Sequence, residues 1–332
     1  MTATECGLSV LVIDEGRAAG GRVYRAPDLW LEPSGSTRSA PAEGMKLRAA
    51  LAACGADLAS NHTVWHVGRL ATNAADPPHF EVSSIIDRLC VQARSRALII
   101  ATGALERFYP RPGWTLPGVL GLGAATVMVK ASGVLPGKRV VVAGPGPLAV
   151  WVAKLVLDAG GSVAVVCDPN PRRAWTRLFP TLTRQAGPLA RGGAWLAQLA
   201  LARVPILRGW DVRAIHGERE VERVTLGRVD RDWRPLPGSE EKTLDADALC
   251  IGYGLAPATD MYQLLGAALH YEPTRGGWVP VLDRGQRCTM PGLYGAGDGG
   301  GVLGAAAAPA TGRIAALSAA RDLGRLDDAS YR

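Results

Sequence analysis

No two of the six cysteines, Cys6, Cys54, Cys90, Cys167, Cys250 and Cys288, stand close enough for a C-x-x-C pair. That excludes a local redox disulfide and a zinc or iron–sulfur knot built from one short stretch. Cys167 and Cys250 sit inside apolar runs and read as buried thiols, a usage that fits a reducing, intracellular compartment. The start, MTATECGLSVLVIDE, lacks the basic region and long apolar run of a signal peptide. No stretch reaches the length of a charge-free membrane helix, and even the Ala-rich end is broken by Pro309 and Arg313. The expectation is a soluble, cytoplasmic chain, with peripheral attachment to the inner membrane as the alternative. The formal charge is +7, carried mostly by arginine, yet no compact Lys/Arg run interleaves with aromatics. A nucleic-acid surface is therefore not expected. His62 and His66 share one face of an expected strand beside Trp65, but no third ligand accompanies them, and no metal site is expected.

What is present is an α/β pattern. Its most complete piece is GKRVVVAGPGPLAVWVAKLVLDAGGSVAVVCDPNP, residues 137–171. Arg139–Ala143 is a short β-branched run, as a buried parallel strand should be. Gly144, Gly146 and Ala149 give the G-x-G-x-x-G/A spacing, and Pro147 suits the first helical position. A helix to about Asp158 ends at Gly160 and Gly161. A second strand follows, with Asp168 at its carboxyl end. Strand, glycine turn, helix, strand and acid form the dinucleotide fingerprint. The glycines let the backbone approach a pyrophosphate, the helix N-terminus favours its charge, and the acid bonds a ribose hydroxyl. Pro145 and Pro147 remove two N–H donors from that loop, so a Rossmann-type subdomain kept only for packing stays open beside NAD(P) binding. Asp168 favours NAD over NADP, although Arg172 and Arg173 follow it closely.

Around this unit lie fragments of a second nucleotide fold. Residues 8–13 form an apolar strand ending in Asp14 and Glu15, and Gly20, Gly21 and Arg22 follow. Such an acid holds a ribose, and such a glycine pair admits a cofactor; an ordinary strand with an exposed acidic turn is the simpler alternative. Spacing to Gly20 favours Asp14 over Glu15. Two short strand-like pieces at 80–83 and 89–93 suggest a small antiparallel insertion. The strand 97–101 ends at Ala101 and runs into Thr102 and Gly103, where Gly103 permits close approach to a cofactor. The Pro-rich stretch 109–118 reads as a linker, and 244–251 as one strand. Near the end, LYGAGDGGG gives a strand, then Gly297 and Asp298, then a glycine-rich turn and an Ala-rich helix. This run resembles the closing motif of flavoproteins, which implies that the Asp298 carboxylate accepts a bond from a ribityl hydroxyl; a strand–turn–helix with an Asp cap is the simpler alternative.

GGRVYRAP (20–27), ATGALERFYPRPGWTLPGVLGLGAA (101–125), SGVLPGKRVVVAGPGPL (132–148) and GGWVPV…MPGLYGAGDGGGVLGAAAA (276–308) carry a resemblance over essentially the whole chain. The sequence resembles FAD/NAD(P)-binding flavoproteins with two nested Rossmann-like domains. Within them it is similar to the large subunits of heteromeric amino-acid and opine dehydrogenases, such as hydrogen cyanide synthase B-type subunits. The resemblance implies an α/β fold in which residues 1–112 and 253–332 form a discontinuous FAD domain and residues 113–252 an inserted NAD(P)-type domain. It implies FAD as cofactor, with NAD(P) as a second ligand. It also implies a partner, an amino-acid-oxidase-like flavoprotein subunit that oxidises an amine or amino acid and passes electrons on. On that reading this chain needs no substrate base, and no catalytic residue is assigned. Three departures stand out. The first strand and its G-x-G-x-x-G do not precede residue 8, Arg22 stands where the group has Gln, and no cysteine-rich iron–sulfur segment follows. An NAD(P)H-dependent flavin reductase and a truncated, non-catalytic scaffold subunit are the alternatives.

Overall fold

The computed structural model describes residues 1–25, 39–70, 79–171 and 186–327. Arg172 and Arg173 lie outside them. One compact unit draws on the chain up to Leu105 and again from Leu255, and a second runs from Glu106 to Gly254.

The first unit opens with a single helical turn, α1 (Thr2–Glu5), which packs on the C-terminal helix. Strand β1 (Leu11–Asp14) follows, then α2 (Ser39–Ala53) and β2 (Asp57–Ser60), which pairs in parallel with β1. Strands β3 (Thr63–Leu70), β4 (His79–Ile86) and β5 (Leu89–Ser95) form the expected antiparallel insertion. Asp87 and Arg88, both at positive φ, make its last turn. Strand β6 (Leu98–Ile100) leads to Thr102, and β7 (Ala104–Glu106) leaves the unit.

In the second unit, β8 (Val119–Gly121) is followed by α3 (Leu122–Ser132), β9 (Arg139–Ala143), α4 (Pro147–Asp158), β10 (Ser162–Asp168) and α5 (Ala186–Leu201). Next come β11 (Ile206–Arg208), β12 (Trp210–His216), β13 (Arg223–Arg228), β14 (Glu241–Asp245) and β15 (Ala248–Ile251). The parallel sheet has the order β11-β10-β9-β15-β8. Along β9 the side chains alternate between its two faces. Val140 and Val142 join an apolar cluster with Val152 and Val156 of α4, while Val141 and Ala143 join Val212 of β12 and Val224 and Leu226 of β13. The antiparallel sheet β12-β13-β14 therefore covers one face and helices cover the other. That double cover is why β9 reads as a continuous apolar run.

Two expectations fail here. The stretch read as one strand over 244–251 is two strands in different sheets. The Asp247 carboxylate between them accepts hydrogen bonds from Lys138 and Arg139 N–H, both at 2.8 Å, and so turns the chain. The Pro-rich stretch 109–118 is no free linker. It is laid along the second unit, with Ile215 N–H bonded to Pro112 O at 2.8 Å and Val221 N–H to Pro117 O at 2.9 Å. Gly113, at φ 80°, lies so close to Ile215 O that a Cβ would collide with it.

The chain returns to the first unit through β16 (Leu255–Pro257), which pairs with β7. Helix α6 (Asp260–Leu264), the hairpin β17 (Leu269–Glu272) and β18 (Gly277–Pro280), then β19 (Leu293–Gly295) and α7 (Ala308–Asp322) complete it. Strand β19 pairs in parallel with β6. The parallel strands of this unit thus come as two pairs, β1-β2 and β6-β19. Ile13, Leu98, Ile100 and Leu293 nevertheless share one apolar cluster, into which Tyr262 packs while its hydroxyl donates to Ile100 O. The small side chains of Ala315 and Ala319 let α7 close on Tyr294 and Ala296. No described helix is long and apolar enough to cross a membrane.

Candidate functional site

In the first unit the expected residues stand at or after the carboxyl ends of β1, β6 and β19. Asp14 ends β1, and its Oδ1 accepts the Gly16 N–H at 2.7 Å; Glu15 beside it is exposed. The next turn runs through Gly20 and Gly21, at φ 140° and 55°. A side chain at Gly20 would strike Tyr24 O, which is itself held by Arg48 Nη1 at 2.7 Å. From this turn Arg22 reaches across to donate to Ala104 O at 2.7 Å. The Gln-to-Arg departure therefore ties the glycine turn to the segment after Thr102 and Gly103.

That segment follows β6 through Ala101. Thr102 Oγ1 donates to Ala258 O at 3.0 Å, and Ala258 N–H returns a bond to Gly103 O at 3.0 Å. The backbone of Thr102 and Gly103 is so pinned on one side. On the other lies the short 3-10 turn Gly297–Gly300. A Cβ at Gly299 would stand 3.1 Å from Thr102 Oγ1 and 3.4 Å from Gly103 N. Gly297 N–H is bound by Thr311 Oγ1 of α7 at 2.9 Å. Asp298 Oδ1 accepts from Leu303 and Gly304 N–H at 3.0 and 2.8 Å, so it braces the loop after its turn rather than capping α7, which starts at Ala308. Gly21 and Gly103 both adopt positive φ with open space where a side chain would stand. Positive-φ glycines facing open space beside a half-buried carboxylate suit close approach of a polar cofactor. The residues present fit the ribityl and flavin end of FAD: Asp298 to take a hydroxyl, Thr102–Gly103 and Gly297–Gly299 as backbone walls, and Arg22 as the neighbouring cation.

The second unit carries the other fingerprint. Gly144 N–H bonds Cys167 O at 2.9 Å, and a side chain at Gly144 would collide with Gly252 O. Gly146, at φ 81°, is the N-cap of α4 with open space before it, and Pro147 begins the helix. The first-turn N–H groups of Leu148 and Ala149 are left for an anion, fewer than a proline-free loop would offer. Asp168 ends β10, where its Oδ1 accepts the Asn170 N–H at 2.9 Å, and it is only 4% exposed. The loop leaves room for a phosphate, and Asp168 is packed in at the carboxyl end of β10.

Two clusters carried no signal in the sequence. Glu106 receives the N–H groups of Gly123 and Ala124 at 2.6 and 3.3 Å and so closes the N-terminus of α3. Gly121 and Gly123 leave it room, since a Cβ on either would crowd its carboxylate. Asp211, 1% exposed, is held by Arg111 Nη2 at 2.8 Å and by the Tyr253 hydroxyl at 2.7 Å. Three thiols are held toward the protonated form, whereas a backbone hydrogen bond from Ala56 lowers Cys54. Burial pushes Cys250 up to about 12, helped by Glu106, and Cys288 to about 12, helped by Asp283. Burial, with Asp211 and Asp168 nearby, raises Cys167 well above its ordinary value.

The family profile described as pyridine nucleotide-disulphide oxidoreductase matches residues 2–323. The A-type subunit of the opine oxidase of Agrobacterium tumefaciens is 32% identical over 97% of this chain and 62% of its own length. The hydrogen cyanide synthase subunit HcnB of Pseudomonas aeruginosa is 33% identical over 94% of this chain and 66% of its own. The chain thus spans somewhat under two thirds of the length of these relatives. Among solved structures, the thioredoxin reductase of T. acidophilum superposes with a TM-score of 0.66 at 23% identity, covering 97% of this chain and 93% of that one. The L-proline dehydrogenase of P. horikoshii gives 0.65 at 17% identity, over 97% and 52%. These two likenesses concern the fold. With the profile spanning nearly the whole chain, the chain belongs to the pyridine nucleotide-disulphide oxidoreductase family of FAD- and NAD(P)-binding oxidoreductases.

Proposed function

We propose that the chain is an FAD-dependent oxidoreductase subunit that passes electrons in the oxidation of an amino acid, opine or similar amine, working with a second flavoprotein subunit. The observation that carries this reading is that Gly299, next to Asp298, packs on Thr102 and Gly103, while Arg22 of the glycine turn is bonded to the adjoining Ala104 O. Bound FAD supplies a two-electron acceptor there. The chain's part is to hold it: Asp298 takes a hydroxyl, the Thr102–Gly103 and Gly297–Gly299 backbones flank it, and Arg22 fixes the glycine turn. The lack of a C-x-x-C pair in this sequence counts against disulfide reduction despite the family's description. Relatives named as subunits of opine oxidase and hydrogen cyanide synthase support the partner and the amine substrate.

The glycine turn and α4 N-terminus of the second unit favour a second reading, in which NADH or NADPH delivers hydride to the flavin. Anaerobic mixing separates the two. Bleaching of the flavin by an opine or amino acid only when the partner subunit is present is the expected result. Rapid bleaching by NADH without a partner, and none with any amine, would replace the first reading by the second.

A further inference from the structure

Three loops of the second unit close over the carboxyl end of β10. Gly209 N–H donates to Asp168 O at 2.8 Å and to Asn170 O at 3.1 Å, and Gly209 O accepts from Val229 N–H at 3.0 Å. Just beyond Val229 the chain makes a tight turn. Asp230 Oδ1 accepts from Asp232 and Arg234 N–H at 2.8 and 2.9 Å, and Trp233 N–H returns to Asp230 O at 3.2 Å. The turn holds Trp233 at φ 62°, a backbone state that L side chains rarely adopt. Its indole is half-buried and packs against the apolar cluster that holds Val141, Val212 and Leu226. Nε1 donates to Asn170 Oδ1 at 3.3 Å, and the ring lies 6.2 Å from that of Tyr253. Asn170 N–H in turn bonds Asp168 at the end of β10. A half-buried, braced aromatic ring thus stands one side chain away from the acid that would hold an adenosine ribose, at the edge where open parallel sheets take their ligands.

We infer that Trp233 is the stacking wall for the purine base of an adenine dinucleotide in the second unit. The inference rests on reading that unit as an NAD(P)-type domain, and it adds a residue that the glycine fingerprint does not contain. Base–aromatic stacking tolerates the small misfit of a preformed wall, because the π-face rather than a hydrogen-bond pattern does the holding.

The test is calorimetric titration of the full chain with two halves of the cofactor. ADP-ribose carries the adenine; nicotinamide mononucleotide lacks it. Trp233→Phe keeps a π-face, while Trp233→Leu fills much of the same space without one. The expected result is ADP-ribose binding within about 3-fold of the unsubstituted chain for Phe and weakened by about 10-fold or more for Leu. Nicotinamide mononucleotide should bind all three alike. Leu and Phe variants that bind ADP-ribose equally, or a parallel loss for both ligands, would overturn the role of Trp233 and leave the nucleotide reading intact. No ADP-ribose binding by the unsubstituted chain would overturn both. Should Trp233→Leu not fold, Asn170→Ala frees the indole without emptying its place, and unchanged ADP-ribose affinity there would likewise refute the wall.

Discussion

Gly299 and Thr102, far apart in the chain, lie so close that a methyl group on Gly299 would stand 3.1 Å from the Thr102 hydroxyl. The contact matters because the Thr102 hydroxyl is already committed to Ala258 O and cannot retreat freely. A Gly299→Val chain should lose about 1–3 kcal/mol of stability, the usual cost of forcing extra atoms into a filled contact. It should lose flavin affinity as well, since the Thr102–Gly103 backbone is displaced. Thermal unfolding with and without FAD reads both effects.

The proposed function gives the Asp298 carboxylate a second job beside bracing its own loop. Its Oδ1 holds Leu303 and Gly304, which Asn would still do, but the charge offered to a cofactor hydroxyl would be gone. Asp298→Asn should therefore fold normally and bind FAD about 10-fold more weakly, as expected for losing one charge-assisted hydrogen bond. Asp298→Ala should also unfold at lower temperature. Equal melting of the Asn and Ala variants would show that the loop bonds are not made.

How much of this was legible in the sequence follows from where each signal is stored. Arg139–Asp158 reads correctly because each part is local: a β-branched run, two glycines, a proline at the first helical position. Strand β12 went unread because its alternating pattern carries Asp211 on a buried face, and a buried acid looks like a loop residue until Arg111 and Tyr253 are known to hold it. Composition misled at 109–118, where proline and glycine serve close packing against Ile215 instead of freedom. The glycines and acids of the site were visible one by one. That Arg22 meets Ala104 was not, since a long-range backbone acceptor leaves no mark on the sequence.

The Asp211 cluster gives a prediction of its own. Removing one partner of a buried ion pair strands the other, at a cost of about 3–5 kcal/mol. Arg111→Met leaves Asp211 buried with the Tyr253 hydroxyl alone and should destabilise the second unit strongly. The double change Arg111→Met with Asp211→Leu should recover much of the loss. Chemical unfolding of the three chains checks this.

The thiols set a pH dependence. Cys250 and Cys288, raised by burial from 9.0 to about 12, hold their protons more tightly folded than unfolded. Such a group leaves stability untouched below the unfolded value and reduces it as pH rises from about 9 toward 12. Stability should decline over that window, and less steeply in a Cys250→Ala chain. At pH 8 a thiol reagent should label exposed Cys90 and leave Cys250 unmodified until the protein unfolds.

If this chain holds FAD, the visible spectrum of the purified protein will show it. After incubation with FAD and removal of the excess by gel filtration, flavin absorption bands at close to one FAD per chain are expected. A protein that stays colourless after the same treatment, while folded by circular dichroism, would contradict the FAD reading.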